Sequence, residues 1–102
     1  MLDGGGISRS PGSVSLTFTI SAAYPHPSPQ TAFTLTLRRP QHVRIDLFDL
    51  NGRRVDTLFE GFLQAGTPRR FTMGGKDLPS GVYLYRVVGE DFADSRAVVL
   101  VR

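Results

Sequence analysis

The side chains able to do acid–base or metal chemistry near neutral pH are few and far apart. His26 and His42 are the only histidines, and imidazole is the side chain whose charge changes between pH 5 and 8. His26 lies between Pro25 and Pro27 and His42 opens an apparent strand. Neither stands at metal-ligand spacing from a second donor, so surface or turn roles are expected. The carboxylates Asp46, Asp49, Asp56, Glu60, Asp77, Glu90, Asp91 and Asp94 are scattered. Glu90, Asp91 and Asp94 offer the oxygen donors that calcium takes, but a solvated hairpin loop accounts for them as well. Gly4-Gly5-Gly6 has no following lysine, and Gly74-Gly75-Lys76 runs into Leu78-Pro79 where a phosphate-binding loop needs a helix. No nucleophile, base and orienting group can be assembled from these residues. The expectation is a protein that is not an enzyme and holds no metal or cofactor.

What remains is a scaffold. The chain has 102 residues, 40% of them hydrophobic and 21% charged, with no cysteine and no tryptophan. That length suits one core and not two, and no apolar run approaches the roughly 18 residues of a membrane-spanning helix. The missing cysteines exclude a disulfide framework, a zinc finger and a thiol nucleophile together. The net charge is +3, carried by eleven arginines and the single lysine Lys76. Arginine doublets at Arg38-Arg39, Arg53-Arg54 and Arg69-Arg70 suit strand ends, where charge blocks edge-to-edge pairing. The alternative is an anionic partner, a phosphate or a lipopolysaccharide head group, for which guanidinium forks fit bidentate contact. Nucleic acid is not expected, because the aromatic residues do not interleave with the arginines.

Residues 1–13, MLDGGGISRSPGS, contain little to bury and read as a flexible linker. They hold no apolar stretch of secretory-signal type, and the expectation is a C-terminal piece of a longer, exported parent. From Val14 onward the period is two. Residues 14–20, 33–38 and 43–48 alternate apolar and polar side chains. Asn51-Gly52 then supplies the positive φ values of a tight hairpin turn, sending a strand of residues 53–59 back antiparallel. Asp49 ahead of it is placed to accept backbone N–H bonds at the bend. Gly61 and Gly66 bracket a further turn, and strands at 69–73, 82–88 and 95–101 complete the chain. Seven short strands without a helical period predict an all-β fold, an immunoglobulin-like antiparallel β-sandwich of about seven strands over residues 14–102. Tyr83 and Tyr85 fall where such sandwiches place a tyrosine whose hydroxyl bonds back to the main chain.

Four segments in order resemble a known family. They are Tyr24-Pro25-His26-Pro27; the run VRIDLFDLNGRRV at residues 43–55; LPSGVYLYR at residues 78–86; and a basic, aliphatic ending at residues 96–102. Their succession at a chain terminus resembles the type A C-terminal sorting domains of the type IX (Por) secretion system. The resemblance implies an immunoglobulin-like domain with no chemistry of its own, carried C-terminal to a cargo of Bacteroidota. Implied partners are the outer-membrane translocon, its sortase-like peptidase and anionic lipopolysaccharide; the implied route is periplasm, then cell surface or exterior. Where the family usually has Asn between the two prolines this chain has His26, and its ending carries arginine where lysine is common.

On that reading the recognition candidates are Asp49, Gly52, Arg53, Gly81, Tyr83 and Arg96, with the last strand's Val98, Val99, Leu100, Val101 and Arg102. Removal of the domain is expected in the extended backbone at Ser10, Pro11, Gly12 and Ser13. Two rivals share the strand pattern. A flagellar hook-capping module usually carries a Trp-Asp-Gly-type segment where this chain has Phe71-Thr72-Met73-Gly74-Gly75. A carbohydrate-binding accessory module predicts exposed aromatic residues, for which Phe48, Tyr83 and Tyr85 are the candidates.

Overall fold

The protein is described from a computed structural model, which covers residues 17–75 and 78–102. It is all-β. The strands are β1 (Phe18–Ile20), β2 (Gln30–Leu37), β3 (Gln41–Phe48), β4 (Arg54–Leu63), β5 (Arg69–Gly74), β6 (Gly81–Val88) and β7 (Ala93–Leu100). They form two antiparallel sheets, in the orders β1-β2-β5 and β4-β3-β6-β7. The chain changes sheet between β2 and β3, between β4 and β5, and between β5 and β6. These crossings make a sandwich whose inner faces share one core.

The period-two pattern is the cause. Phe33, Leu35 and Leu37 of β2 point inward, as do Val43, Ile45 and Leu47 of β3 and Tyr83, Tyr85 and Val87 of β6; all are buried. Phe33 stacks on Tyr85 across the sheets at 4.6 Å between ring centroids, and Phe71 lies 5.7 Å from Phe33 and 5.2 Å from Phe59. Each such side chain contributes about 1.5–3 kcal/mol on burial. Gln41 is fully buried yet satisfied: its amide donates to Arg39 O, and its Oε1 accepts from the N–H groups of Glu90 and Asp91. It ties the β2–β3 corner to the β6–β7 hairpin.

Two expectations change at the turns. Gly61 is not a turn residue: β4 runs through it, paired with Val43, and ends at Leu63. A Cβ at Gly61 would lie 3.2 Å from the Phe59 ring, so glycine there leaves room for that ring. The bend comes at Gly66, whose N–H donates to Leu37 O in the other sheet. The β3–β4 hairpin is also wider than a two-residue turn. Gly52 N–H donates to Asp49 O and Asp49 N–H to Arg53 O, leaving Leu50, Asn51 and Gly52 as a three-residue loop. Gly52 takes the left-handed position, φ +83°, as loops of this length require after their turn. At the N-terminal side β1 spans only Phe18–Ile20, with Thr17 at a bend ahead of it; residues 14–16 of the expected strand, like the 1–13 linker, lie outside the described residues.

The hairpin carboxylate has the role expected of it. Asp49 Oδ1 accepts from the N–H groups of Asn51 and Arg53, and its Oδ2 lies 3.4 Å from Arg53 Nε. The Arg53 N–H, helped by Asn51 and the guanidinium and opposed by partial desolvation, holds the Asp49 carboxyl below the ordinary carboxylate range. A lowered value stabilises the fold above the ordinary pKa of about 4 and is lost as pH falls through it. Denaturant unfolding at pH 7 and at pH 2–3 is therefore expected to show a larger acid loss in the parent than in Asp49→Asn. Two further substitutions separate hydrogen bonding from close approach. Tyr83 Oη donates to Pro79 O at 2.6 Å, so Tyr83→Phe is expected to cost about 1 kcal/mol. A Cβ on Gly74 (φ +91°) would stand 2.6 Å from Pro29 O and 3.0 Å from the Leu100 side chain. Gly74→Ala should cost about 2 kcal/mol or more in the same unfolding measurement.

Candidate functional site

Strand register brings most of the candidate residues to one end of the four-stranded sheet. Phe48 pairs with Leu84, Leu84 with Ala97, and Gly81 with Leu100. The 49–53 hairpin leaving β3, the start of β6 and the end of β7 therefore share that end. Asp49, Gly52, Arg53, Gly81, Tyr83, Val98, Val99, Leu100, Val101 and Arg102 all stand there. Arg96 lies further along, opposite Tyr85.

Burial divides the group. Val98, Leu100 and Tyr83 are in the core at 0%, 2% and 5% exposure, so nothing outside touches those side chains without unfolding the strand. Gly52, Arg53, Val101 and Arg102 are exposed, and Asp49, Gly81, Arg96 and Val99 are half-buried. Arg96 Nε donates to Asp94 Oδ2 at 3.0 Å. Both charges sit near the Tyr85 phenol, which burial pushes above its ordinary value; Arg96 counters that shift and Asp94 adds to it. The main chain of Arg102 is fixed by its own N–H, which donates to Ser80 Oγ at 2.8 Å.

The sequence reading missed the contact that organises this end. Segment 24–28, with cis bonds at Tyr24–Pro25 and His26–Pro27, runs beside the outer edge of β7. Val99 N–H donates to His26 Nε2 at 2.9 Å and Val101 N–H to Ser28 O at 3.1 Å. On its other side the segment is tied to β2 by a reciprocal pair of bonds between Tyr24 and Ala32. It is a strap from one sheet to the edge of the other. The Tyr24-Pro25-His26-Pro27 run marked the position in the sequence, but nothing in it named β7 as its partner.

The remaining chemical candidates are absorbed by local structure. Asp91 pairs with Arg39 at 3.0 Å, Glu90 Oε2 accepts from His42 N–H, and Asp94 pairs with Arg96. The three acids whose oxygens calcium could take thus turn to three different partners, and no metal-binding group of His, Asp or Glu forms among the described residues. Gly74 and Gly75 close β5 against Pro29, Gly75 N–H donating to Pro29 O. Arg69 lies 5.8 Å from the ring centroids of both Phe59 and Phe71. Tyr83 and Tyr85 are buried, and no row of exposed aromatic residues forms from the carbohydrate-binding candidates. Ser10, Pro11, Gly12 and Ser13 lie outside the described residues.

No curated protein matches the chain. The family model for the secretion system C-terminal sorting domain matches residues 22–100, a span that starts just ahead of the strap and closes on the last residue of β7. The matched span takes in the strap and all the strands from β2 to β7, and the chain belongs to the C-terminal sorting domains of type IX secretion.

Proposed function

We propose that this domain is a non-catalytic address label that directs a cargo joined N-terminal to it through the type IX translocon to the cell surface or exterior. The observation that carries the reading is the family match over residues 22–100, from just ahead of the strap through β2 to the last residue of β7. Membership itself implies export and contact with secretion machinery; the surface that is read is the finer step. On this reading the label is presented folded, after periplasmic transit, and is recognised at the sheet end built by the 49–53 hairpin and the end of β7. Gly52, Arg53, Val99, Val101 and Arg102 supply its accessible surface, while Asp49, Gly81, Tyr83, Val98 and Leu100 hold its shape. A sortase-like peptidase then cuts the linker at residues 10–13, leaving the cargo free or joined to anionic lipopolysaccharide.

The test is a reporter carrying a periplasmic signal and fused ahead of residues 1–102, expressed in a bacterium with a type IX system. The reporter is expected outside the cell, and mass spectrometry of the released form should place its end within residues 10–13. Deleting the last strand is a poor probe, because losing Val98 and Leu100 opens the core at about 2–5 kcal/mol per large side chain. Arg53→Gln with Arg102→Gln removes exposed charge instead, sets no second carboxylate beside Asp49, and should leave the fold intact by thermal unfolding while lowering export several-fold. Undiminished export of that double variant would overturn the assignment of this end as the surface that is read. Retention of the parent fusion in the periplasm would overturn the sorting role itself.

A further inference from the structure

The outer edge of β7 is closed at two points and open at a third. Backbone direction alternates along a strand, and the N–H groups of Val99 and Val101 point away from β6 to the strap. Ala97 and Ser95 share that direction. Ser95 N–H turns back onto its neighbour Asp94 Oδ1 at 3.1 Å, while Ala97 N–H meets no backbone partner outside the sheet among the described residues. Val99, between Ala97 and Val101, is held by a ring nitrogen. That nitrogen accepts only while the imidazole is neutral, with its proton on Nδ1; a protonated ring is a donor at both nitrogens and offers a lone pair at neither.

From this geometry we infer that His26 is a proton-operated latch: the neutral ring holds the strap on β7, and protonation frees Val99 N–H and loosens the strap as far as Val101. Protons bind the open form in preference to the latched one. The contribution of the bond is therefore present at alkaline pH and disappears as pH falls through the titration of the ring. The charged and titratable groups on the surrounding elements are Tyr24 on the strap, the Asp94–Arg96 pair and Arg102 at β7, and Tyr83, Tyr85 and Arg86 on β6. Segment 30–32 of β2, to which the strap is tied, brings none. Asp94 is already paired with Arg96 and stands five residues from Val99, so these elements give the imidazolium no free counter-charge. Opening aligns the N–H groups of Ala97, Val99 and Val101 along one edge, the arrangement to which an added strand pairs. That consequence for sorting rests on the reading proposed above, whereas the latch is measured on the isolated full chain without secretion machinery, so the two fail separately.

The measurement is amide hydrogen exchange by NMR between pH 8 and pH 5, as protection relative to the intrinsic rate at each pH, on the parent and on His26→Gln. The Gln side chain places a carbonyl oxygen close to the position of Nε2 and does not titrate. Protection of Val99 and Val101 in the parent is expected to fall about tenfold, in step with the His26 ring. The scalar coupling between Val99 N and His26 Nε2 should vanish over the same range. In His26→Gln both amides should keep their protection at pH 5, and titration of His42 should leave them unchanged. Equal protection of Val99 at both pH values in the parent, or an equal fall in His26→Gln, would overturn the latch.

Discussion

The last strand of this domain cannot be separated from its core. β7 lies at the sheet edge, yet Val98 and Leu100 are as buried as any residue of the central strands. Leu100 also packs against the place where β5 ends, close enough to Gly74 that a Cβ there would touch it. The end of β7 therefore exists in its native shape only when the sandwich is formed. A receptor that meets this end meets a folded strand with alternate side chains already spoken for. What β7 offers outward is a main chain, one half-buried valine and the exposed Val101 and Arg102.

Exposed edges are the standing hazard of such a fold, because their unpaired N–H and C=O groups accept any extended chain. The strap answers the hazard over Val99 and Val101 with two bonds, one to a side chain and one to a carbonyl. The same economy appears at Gln41, where one buried amide satisfies three main-chain groups on two loops. Neither device is strong: a single hydrogen bond is worth about 1 kcal/mol net. Both matter because they act where the sheet has no further strand to complete it.

Period two made the strands legible: all but β1 and β4 have both ends within about three residues of the expected bounds, and β4 runs on to Leu63. The core followed, since inward positions of an alternating strand can be counted once one of them is known. The Tyr83 hydroxyl bond and the Asp49 turn were visible because their chemistry is local: each partner lies within four residues. What escaped was either a matter of one ring's volume or long in range. Gly61 looks like a turn in sequence because the reason for glycine is the Phe59 ring packed over it. The His26–Val99 contact spans 73 residues, and no local pattern announces such a pairing. The candidate residues could be named from the sequence, but not divided into those that build the sheet end and those that show at it, because that division depends on which face of β7 packs on the core.

The arginines bear on what kind of partner such an end suits. Arg39, Arg44, Arg53 and Arg96 each face a carboxylate of the same domain, and Arg69 lies over two aromatic rings. Arg38, Arg54, Arg70, Arg86 and Arg102 have no ion pair among the described residues, but they stand just after β2, on β4, on β5, on β6 and just after β7. Exposed charges so far apart are largely screened from one another at physiological ionic strength. A dense basic patch, which an extended polyanion would require, does not form from them. Shape, edge geometry and one or two charges at the sheet end are what remain to distinguish this domain from any other small sandwich. On the reading proposed above, a partner that tells it apart engages main chain and turn together, and the two bonds from the strap to Val99 and Val101 limit how much of that main chain is on offer.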